Sequence, residues 1–471
     1  MTTLIRGGTV VGPVSAQPLD VLIDGERVVA LLAPGDTSLG VDLASSAERV
    51  IDATGKYVVP GGVDAHTHME LPFGGTFASD TFETGTIAAA HGGTTTILDF
   101  AVQRAGERVQ DGLSAWHEKA AGQCAIDYGF HQIIGGVDDE SLKAMDELVG
   151  EGITSFKLFM AYPGVFFSDD GQIVRAMQTA ATNGSMIMMH AENGTAIDVL
   201  VAQALARGET APRYHSLTRP WQTEEEATHR AIMLAHLTGA PLYVVHMSAR
   251  QAVETLARAR GEGWNVFGET CPQYLYLSLE EHLAQPGFEG AKWVCSTPLR
   301  SMEEGHQDEL WRYLRTGDLS VVSTDHCPFC FKDQKELGVG DFSKIPNGIG
   351  GVEHRMDLLY QGVVDGRISL SRWIDLCCTT PARMFGLHPR KGEIIPGGDA
   401  DIVVYDPHAV TRISVDTHHM NMDYSAYEGI EIRGGVDTVL SRGRVVVERG
   451  TYLGTKGHGQ FLRRGLSQNL V

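Results

Sequence analysis

The sequence predicts an α/β protein made of a (β/α)8 TIM-like barrel and a small β-sandwich domain built from both chain ends. Short β-rich runs alternate eight times with longer amphipathic runs in the middle of the chain, which is typical of a closed parallel barrel. Both ends are instead β-rich, with short-hairpin signals at Asp24-Gly25 and around Arg442-Gly443. The alternative is an open doubly wound sheet, but no Gly-rich phosphate turn follows an early strand.

The predicted barrel elements recur at a regular spacing. We expect the eight strands at 57–65, 94–99, 125–133, 153–159, 185–190, 241–246, 264–269 and 319–324. Amphipathic helices separate most of them, for example at 107–121, 139–150, 170–183, 223–238 and 248–260. This pattern divides the chain into the first part of the small β domain (1–56), the barrel (57–389), the second part of the β domain (390–455) and a C-terminal arm (456–471). We expect this arm to dock on a neighbouring chain or to fray.

Composition and charge exclude several classes of protein. The 471 residues are 43% hydrophobic and 21% charged, as in ordinary globular enzymes. The net charge of −21 is spread along the chain without a basic stripe, which argues against nucleic acid or an anionic membrane as partner. No signal peptide or membrane-spanning run is present. Seven cysteines, including the C-x-x-C pair Cys327 and Cys330, do not suggest a disulfide framework. We therefore expect a cytoplasmic protein with free thiols.

Candidate metal ligands occupy the ends of the predicted barrel strands. His66 and His68 follow the first strand, and residues two apart in extended chain point to the same side. The other candidates lie within or at the end of later strands: Lys157, His190, His246 and Asp325. A histidine at a strand end is often only a hydrogen-bonded core residue. Together, however, four histidines and a carboxylate at the face where barrels carry their chemistry predict a site for Zn²⁺ or a similar cation.

Lys157 needs a separate explanation, because an ammonium group beside two cations is unfavourable. A salt bridge to a carboxylate is the structural explanation for a lysine in an apolar strand. The functional explanation is that burial and the cations favour the neutral amine, which takes up CO₂ to become a carbamate. A carbamate has two oxygens and a negative charge, so it could bridge two metals, as the amine cannot.

The residues around these ligands resemble the dihydropyrimidinase/hydantoinase family of the amidohydrolase superfamily. The resemblance lies in the stretches 66–76 (HTHMELPFGGT), 156–162 (FKLFMAY), 190–193 (HAEN), 268–275 (GETCPQYL) and 345–348 (IPNG). The stretch 391–401 (KGEIIPGGDAD) is similar to the superfamily's return into its small β domain. The match runs from about residue 4 to 465. One departure is Ala65, where many relatives have proline, and it affects no ligand.

The resemblance implies two divalent metal ions as cofactors, zinc by default, with manganese or cobalt suited to the same ligands. It assigns His66, His68 and Asp325 to one metal. It assigns His190 and His246 to the other and makes carboxylated Lys157 the bridge between them.

The resemblance also implies how a cyclic amide is bound and opened. Tyr162 would donate its phenol to the carbonyl oxygen as that oxygen becomes an oxyanion. Ser296 and Asn347 would hold the cyclic imide, largely through backbone groups. On physical grounds, Asp325 is well placed to accept a proton from the attacking hydroxide and pass it to the leaving nitrogen. Four apolar residues flank the metal and tyrosine motifs and could line a wall around an exocyclic group, although core packing explains each equally well: Leu71, Phe73, Phe159 and Phe166.

We expect a hydrolase that opens 5,6-dihydropyrimidines, such as dihydrouracil and dihydrothymine, to N-carbamoyl-β-amino acids in pyrimidine catabolism, and that also accepts hydantoins. Glu70, in the stretch 66–76, favours dihydropyrimidines over hydantoins. It also argues against dihydroorotate, because relatives that act on that acidic substrate carry an arginine at this position, two residues after the second histidine. The alternatives are a D-hydantoinase, an allantoinase-type amidase, or a non-catalytic scaffold such as the collapsin response mediator proteins. Because every ligand is present, the scaffold is the least favoured. The family also implies a homotetramer.

Overall fold

The computed structural model describes residues 2–35, 46–104 and 106–470. The N-terminal strands are β1 (Thr2–Arg6), β2 (Thr9–Val11), β3 (Ala16–Pro18), β4 (Asp20–Asp24), β5 (Arg27–Leu32), β6 (Arg49–Asp52) and β7 (Tyr57–Pro60). Four of them form a sheet in the order β5-β4-β1-β6. The hairpin predicted at Asp24-Gly25 is confirmed: Asp24 pairs with Arg27, and Gly25 adopts the positive φ of 57° that a tight turn requires.

The barrel strands follow in chain order. They are β8 (Gly62–Thr67), then after the short hairpin β9 (Pro72–Phe73) and β10 (Thr76–Phe77), β11 (Thr94–Val102), β12 (Asp127–Ile133), β13 (Ser155–Phe159), β14 (Met186–His190), β15 (Leu242–Val244), β16 (Val266–Thr270) and β17 (Val321–Val322). From β8, each pairs in parallel with the next barrel strand. A bridge between Thr67 and His326 and a 2.6 Å hydrogen bond from Thr324 to Asp64 bring the two ends together. The predicted eight-stranded barrel is therefore confirmed as nearly closed.

Helices connect the strands and pack apolar faces on the barrel. The α-helices of the described residues are Phe82–His91, Val109–Ala120, Asp139–Glu151, Asp170–Asn183, Gly194–Ala206, Tyr214–Leu217, Trp221–Thr238, Arg250–Gly261, Pro272–Tyr276, His306–Thr316, Arg355–Val364, Leu370–Ile374 and Thr380–Met384. Short 3₁₀ or π turns span Leu279–Leu283, Glu289–Trp293, Lys335–Gly338, Phe342–Lys344 and Asp375–Thr379. The helix at Asp170–Asn183 matches its prediction because the sequence provides both ends: a capping box from Asp169 to Gln172, and Gly184 in the left-handed conformation.

The C-terminal strands complete a sheet begun by the N-terminus. They are β18 (Ile402–Arg412), β19 (Glu431–Ser441), β20 (Arg444–Glu448) and β21 (Thr451–Tyr452), and the sheet order is β21-β20-β19-β18-β7-β2-β3. An apolar cluster holds this sheet against the N-terminal one, with Ile5, Val21 and Ile23 from one end of the chain and Ile402 and Leu440 from the other. The prediction that the two ends form one β domain is therefore confirmed.

One predicted barrel strand, 57–65, is wrong in its boundaries. Tyr57–Pro60 pairs with β18 of the terminal sheet, and the barrel strand begins only at Gly62. The chain passes between the two sheets at Gly61. A Cβ there would lie 2.1 Å from the Thr95 hydroxyl oxygen, so close backbone approach requires glycine at this crossing.

The C-terminal arm lies against this chain's own barrel. From the sequence we expected an arm that frays or docks on a neighbour. Instead, the backbone amides of Gly459 and Leu462 donate to the carbonyls of Cys124 and Tyr128, and the Arg464 guanidinium donates to the carbonyl of Phe130. The arm therefore satisfies backbone groups at the start of β12.

All seven cysteines are free thiols, as predicted, and only Cys330 is not fully buried. Across residues 2–35, 46–104 and 106–470, none of the helices combines the length and apolar character that crossing a bilayer requires.

Candidate active site

Three of the predicted metal ligands form a compact group at the C-terminal end of the barrel. His66 lies in β8, His68 follows that strand, and Asp325 follows β17. The Nε2 atoms of the two histidines are 3.2 Å apart, and each lies 3.2 Å from Asp325 Oδ1. These buried donor atoms lie within 4.8 Å of one another. Two imidazoles and a carboxylate in this arrangement form a metal-binding site.

The other predicted ligands adjoin this group. His190 ends β14 and His246 follows β15, with His190 Nδ1 3.0 Å from His246 Nε2. The ring centroids of His66 and His246 are 5.5 Å apart. Lys157, in β13, places its Nζ 3.0 Å from His66 Nε2. The structure thus brings all six sequence-predicted ligands together at one end of the barrel.

The protonation states and unpaired atoms of these histidines fit a metal site. Burial, followed by the charge of Lys157, lowers the pKa of His66, and burial followed by His190 lowers that of His246. Both imidazoles are therefore neutral, which is the form that binds metals. His68 Nδ1 and His246 Nδ1 are buried without a hydrogen-bond partner among the described residues. This donor set suits Zn²⁺ or a similar divalent cation.

Glu269 orients His66, and our sequence predictions did not include it. Its carboxylate receives a very short hydrogen bond from His66 Nδ1 and further bonds from Tyr243 (2.8 Å) and Ser323 (2.9 Å). Donation through Nδ1 leaves His66 Nε2 free to face a cation. Burial raises the pKa of Glu269, whereas the hydrogen bonds from Tyr243 and Ser323 lower it and favour the carboxylate form. Glu269 ends a predicted barrel strand, so the criterion that selected Asp325 would also have selected it.

Glu192 has the same role for His190. His190 Nε2 lies 2.8 Å from Glu192 Oε2, which leaves Nδ1 to face His246. Burial raises the pKa of Glu192, but the hydrogen bond and charge of His190 outweigh that and lower it overall. A buried carboxylate thus fixes the tautomer of one histidine in each half of the site.

Lys157 is buried without the salt bridge that we considered as its structural role. Within the described part of the chain, its Nζ contacts His66 and lies over the rings of Phe100 (4.3 Å) and Phe159 (5.0 Å) instead of pairing with a carboxylate. Burial lowers the pKa of Lys157 to about 8. The amine is therefore far easier to deprotonate than an exposed lysine.

A cavity that is open at its mouth adjoins the metal ligands. Eight of the nine predicted site residues line it, and His66 lies buried behind them. Tyr162, Ser296 and Asn347 form its polar side, where Asn347 Nδ2 donates to the Ser296 hydroxyl at 3.2 Å. Burial, followed by the charge of Glu192, raises the pKa of Tyr162, so its phenol keeps the proton. The predicted apolar wall lines the same cavity: Leu71, Phe73, Phe159 and Phe166.

Glu70 does not line this cavity, contrary to the role that we gave it in substrate preference. Its backbone has a positive φ of 54°, and its carboxylate accepts the backbone N–H of Phe82 at 3.3 Å. Its carbonyl accepts a hydrogen bond from Lys119. Glu70 therefore supports the start of the first barrel helix and cannot discriminate between ring substrates by contact.

Fold and site define a member of the amidohydrolases, and the model of the amidohydrolase family matches residues 57–446. The chain is 66% identical to a D-hydantoinase of Streptomyces coelicolor over 469 residues, covering 100% of this chain and 99% of the relative. It is 48% identical to a D-hydantoinase of Geobacillus stearothermophilus, with 98% and 97% covered. The crystal structure of dihydropyrimidinase from Brevibacillus agri superposes with a TM-score of 0.96 at 49% identity and covers 99% of both chains. The chain belongs to the D-hydantoinase/dihydropyrimidinase family and is a cyclic amide hydrolase.

Proposed function

We propose that this chain opens 5-monosubstituted hydantoins of the D series to N-carbamoyl-D-amino acids. Full-length identity of 66% with a D-hydantoinase carries this proposal. The main expectation from the sequence was a dihydropyrimidine substrate, with a D-hydantoinase as the alternative. We now favour the alternative, because Glu70, the residue that favoured dihydropyrimidines, lies outside the cavity. Dihydrouracil remains a second candidate substrate, since it presents the same imide edge and a dihydropyrimidinase is among the similar solved structures.

Two divalent cations, zinc by default, would be held by the six clustered side chains. His66, His68 and Asp325 would hold one, and His190 and His246 the other. We propose that Lys157 bridges them as a carbamate, formed when its neutral amine adds CO₂ and releases a proton. The proximity of its Nζ to His66 and the absence of a salt bridge within the described residues support this. Reconstitution of metal-free, CO₂-depleted protein should therefore require bicarbonate as well as metal.

Bound cations there would make a water acidic enough to attack at neutral pH and would polarise the ring carbonyl. The water oxygen bonds to the carbonyl carbon that lies between ring carbon 5 and the imide nitrogen, and the bond between that carbon and the imide nitrogen breaks. Tyr162 donates its phenolic hydrogen to the carbonyl oxygen as negative charge develops. Asp325 accepts the proton of the attacking water and gives it to the leaving nitrogen. The products are a carboxylate and a carbamoyl group on one molecule.

Substrate orientation follows from the two sides of the cavity. Ser296 and Asn347 hold the polar imide edge against the metal ligands. The group on ring carbon 5 then lies against the apolar wall formed by Leu71, Phe73 and Phe159, which favours a hydrophobic substituent. An unsubstituted ring such as dihydrouracil leaves this wall without a partner.

The experiment that tests this function compares D- and L-5-benzylhydantoin with dihydrouracil, using chiral analysis of the products. We expect kcat/KM to be highest for the D-hydantoin. It should exceed that for dihydrouracil by about tenfold or more, because a buried benzyl group adds more than one tenfold step in binding. The preference over the L-hydantoin is expected from the similarity to D-hydantoinases. Preference for dihydrouracil would return the assignment to our first expectation. Equal rates on both enantiomers would contradict the D selectivity.

We also propose the homotetramer that the family resemblance implies. Two neighbouring helices expose apolar side chains that an interface would cover: Val199 (56% exposed), Met233 (46%) and Leu237 (73%). In the helix Gly194–Ala206, only Gly194, Ile197 and Ala204 are buried. Sedimentation should give four chain masses, and charged substitutions at Val199 and Leu237 should lower that mass.

A further inference from the structure

Lys335 is a buried lysine that the proposed reaction does not use. Its side chain is fully shielded from solvent at the start of the 3₁₀ turn Lys335–Gly338. Its Nζ donates to three backbone carbonyls: Val294 at 2.9 Å, Pro346 at 2.7 Å and Gly348 at 2.8 Å. An ammonium group has three N–H donors and no acceptor, so every donor of Lys335 has a partner.

The three carbonyls belong to the two segments that form the polar side of the cavity. Val294 lies two residues before Ser296, and the other two carbonyls flank Asn347 on either side. The segments also contact each other directly, because the amide of Gly348 donates to the Val294 carbonyl at 3.0 Å. Lys335 is thus at the junction that sets the distance between Ser296 and Asn347.

These segments have no regular secondary structure to fix their backbone. Residues 294–298 and 345–348 lie outside every strand and helix, so their carbonyls lack the partners that a sheet or helix provides. Buried carbonyls without a donor are costly, and hydrogen bonds to a charged donor are stronger than neutral ones. Burial lowers the pKa of Lys335 to about 7, whereas three carbonyl acceptors favour the ammonium form, which alone has three donors.

We propose that Lys335 is a positioning residue for substrate recognition, which holds the segments of Ser296 and Asn347 at the spacing that the imide edge requires. The proposal rests on the proposed function for the nature of the ligand. Lys335 itself does not line the cavity. It acts through the backbone that presents the two contact residues, so its loss weakens binding of substrate and transition state alike.

The test replaces Lys335 with Gln, which keeps two N–H donors, and with Met, which keeps none. We expect KM for the best hydantoin to rise about tenfold in Lys335→Met and less in Lys335→Gln, with kcat within about threefold of wild type. Metal content should stay at the wild-type value, because the strand ends that carry the ligands are untouched.

Lys391→Met is the matched control. Lys391 is also buried and has three acceptors, the carboxylates of Asp127, Asp399 and Asp401, at the opposite end of the barrel. This variant should lower the melting temperature and leave KM unchanged. If Lys335→Met behaves in the same way, or if neither Lys335 variant folds, the role of Lys335 is structural and the positioning proposal is overturned.

Hydrogen exchange separates this proposal from the proposed function, because it needs no substrate. In both Lys335 variants the amide of Gly348 should exchange at least about tenfold faster than in wild type, while amides in β13 and β14 keep their rates. Unchanged exchange at Gly348 contradicts the proposal. If wild type opens no hydantoin but exchange at Gly348 still accelerates, the function fails and the positioning role stands.

Discussion

The cavity has two parts that are held by groups of opposite charge. One is the metal-ligand rim, formed by His66, His68, Lys157, His190, His246 and Asp325. The other is the pair of substrate-recognition segments, residues 294–298 and 345–348. On the rim, the carboxylates of Glu269 and Glu192 fix the imidazoles of His66 and His190. In the recognition segments, the ammonium group of Lys335 fixes backbone carbonyls. Imidazoles that face a cation need an acceptor behind them, whereas irregular backbone needs a donor for its buried carbonyls. Substitutions in the two halves should therefore fail in different ways, one through the metal and the other through the substrate.

The largest effect is expected from Lys157→Ala, on the rim. Without the bridging group that we propose, both cations should be lost and activity should fall by at least about 10³-fold. Metal analysis beside hydantoin hydrolysis measures both effects. Lys143→Ala is the control, because Lys143 is exposed and, among the described residues, forms an ion pair only with Glu147 one helical turn away. Two tightly bound metals in active Lys157→Ala would remove the carbamate from the mechanism.

Tyr162→Phe should lower kcat by about 10²- to 10³-fold, because it removes one donor to the developing oxyanion and keeps the ring packing. Metal content should not change, in contrast to Lys157→Ala. The control is Tyr128→Phe, which removes a phenol near the start of β12, at the other end of the barrel. A loss of metal in Tyr162→Phe would contradict the separation between residues that bind metal and residues that act on the substrate.

The rim could be predicted from the sequence because regular structure dictates its geometry. His66, His190, His246 and Asp325 stand in or directly after buried β-rich runs, and parallel strands bring such positions to one face. Glu269 meets the same criterion, because it stands at the end of the predicted strand 264–269. A residue that orients a metal ligand can occupy the same place at a strand end as the ligand itself. Only the structure therefore distinguishes a residue that binds the metal from one that orients a ligand.

The recognition segments could not be predicted from periodicity. Ser296 and Asn347 lie in irregular chain, and only the resemblance to a family selected them. Lys335 was not selected at all, since no local pattern reveals that its three partners lie 41, 11 and 13 residues away. Glu70 failed for a related reason: a positive φ turns its side chain toward the helix at Phe82, and sequence spacing alone does not show this.

Glu269→Gln should have an effect of intermediate size on metal affinity. The amide is neutral, so it supports the His66 tautomer less well, and metal affinity should fall about 10- to 100-fold. Competition with a chelator measures this affinity. The exposed Glu147→Gln is the control. Unchanged affinity would mean that the orientation of His66 depends on packing alone.

The smallest effect concerns a third carboxylate on the rim side, Asp80, and it is a pH dependence of stability. Asp80 accepts hydrogen bonds from Asn421, from Thr84 and, at 3.0 Å, from His326, the residue after Asp325. Burial raises the pKa of Asp80, but the hydrogen bond and charge of His326 outweigh that and lower it overall. The unfolded chain therefore binds more protons at Asp80 than the folded chain does in acid.

The stabilisation from Asp80 is consequently present above the unfolded pKa of about 4 and is lost as the pH falls through the lower folded value. Asp80→Asn should lower the free energy of unfolding by about 1–3 kcal/mol near neutral pH, and the gap to wild type should shrink in acid. Urea midpoints of both proteins across this range measure the gap. The recognition segments are held by the Lys335 ammonium group instead of a carboxylate. The difference in free energy of unfolding between wild type and Lys335→Gln should therefore not shrink over the same acidic pH range. If the difference in free energy of unfolding between wild type and Asp80→Asn stays constant with pH, His326 is not held by a charged carboxylate. The contrast between the rim and the recognition segments would then depend on Glu269 and Glu192 alone.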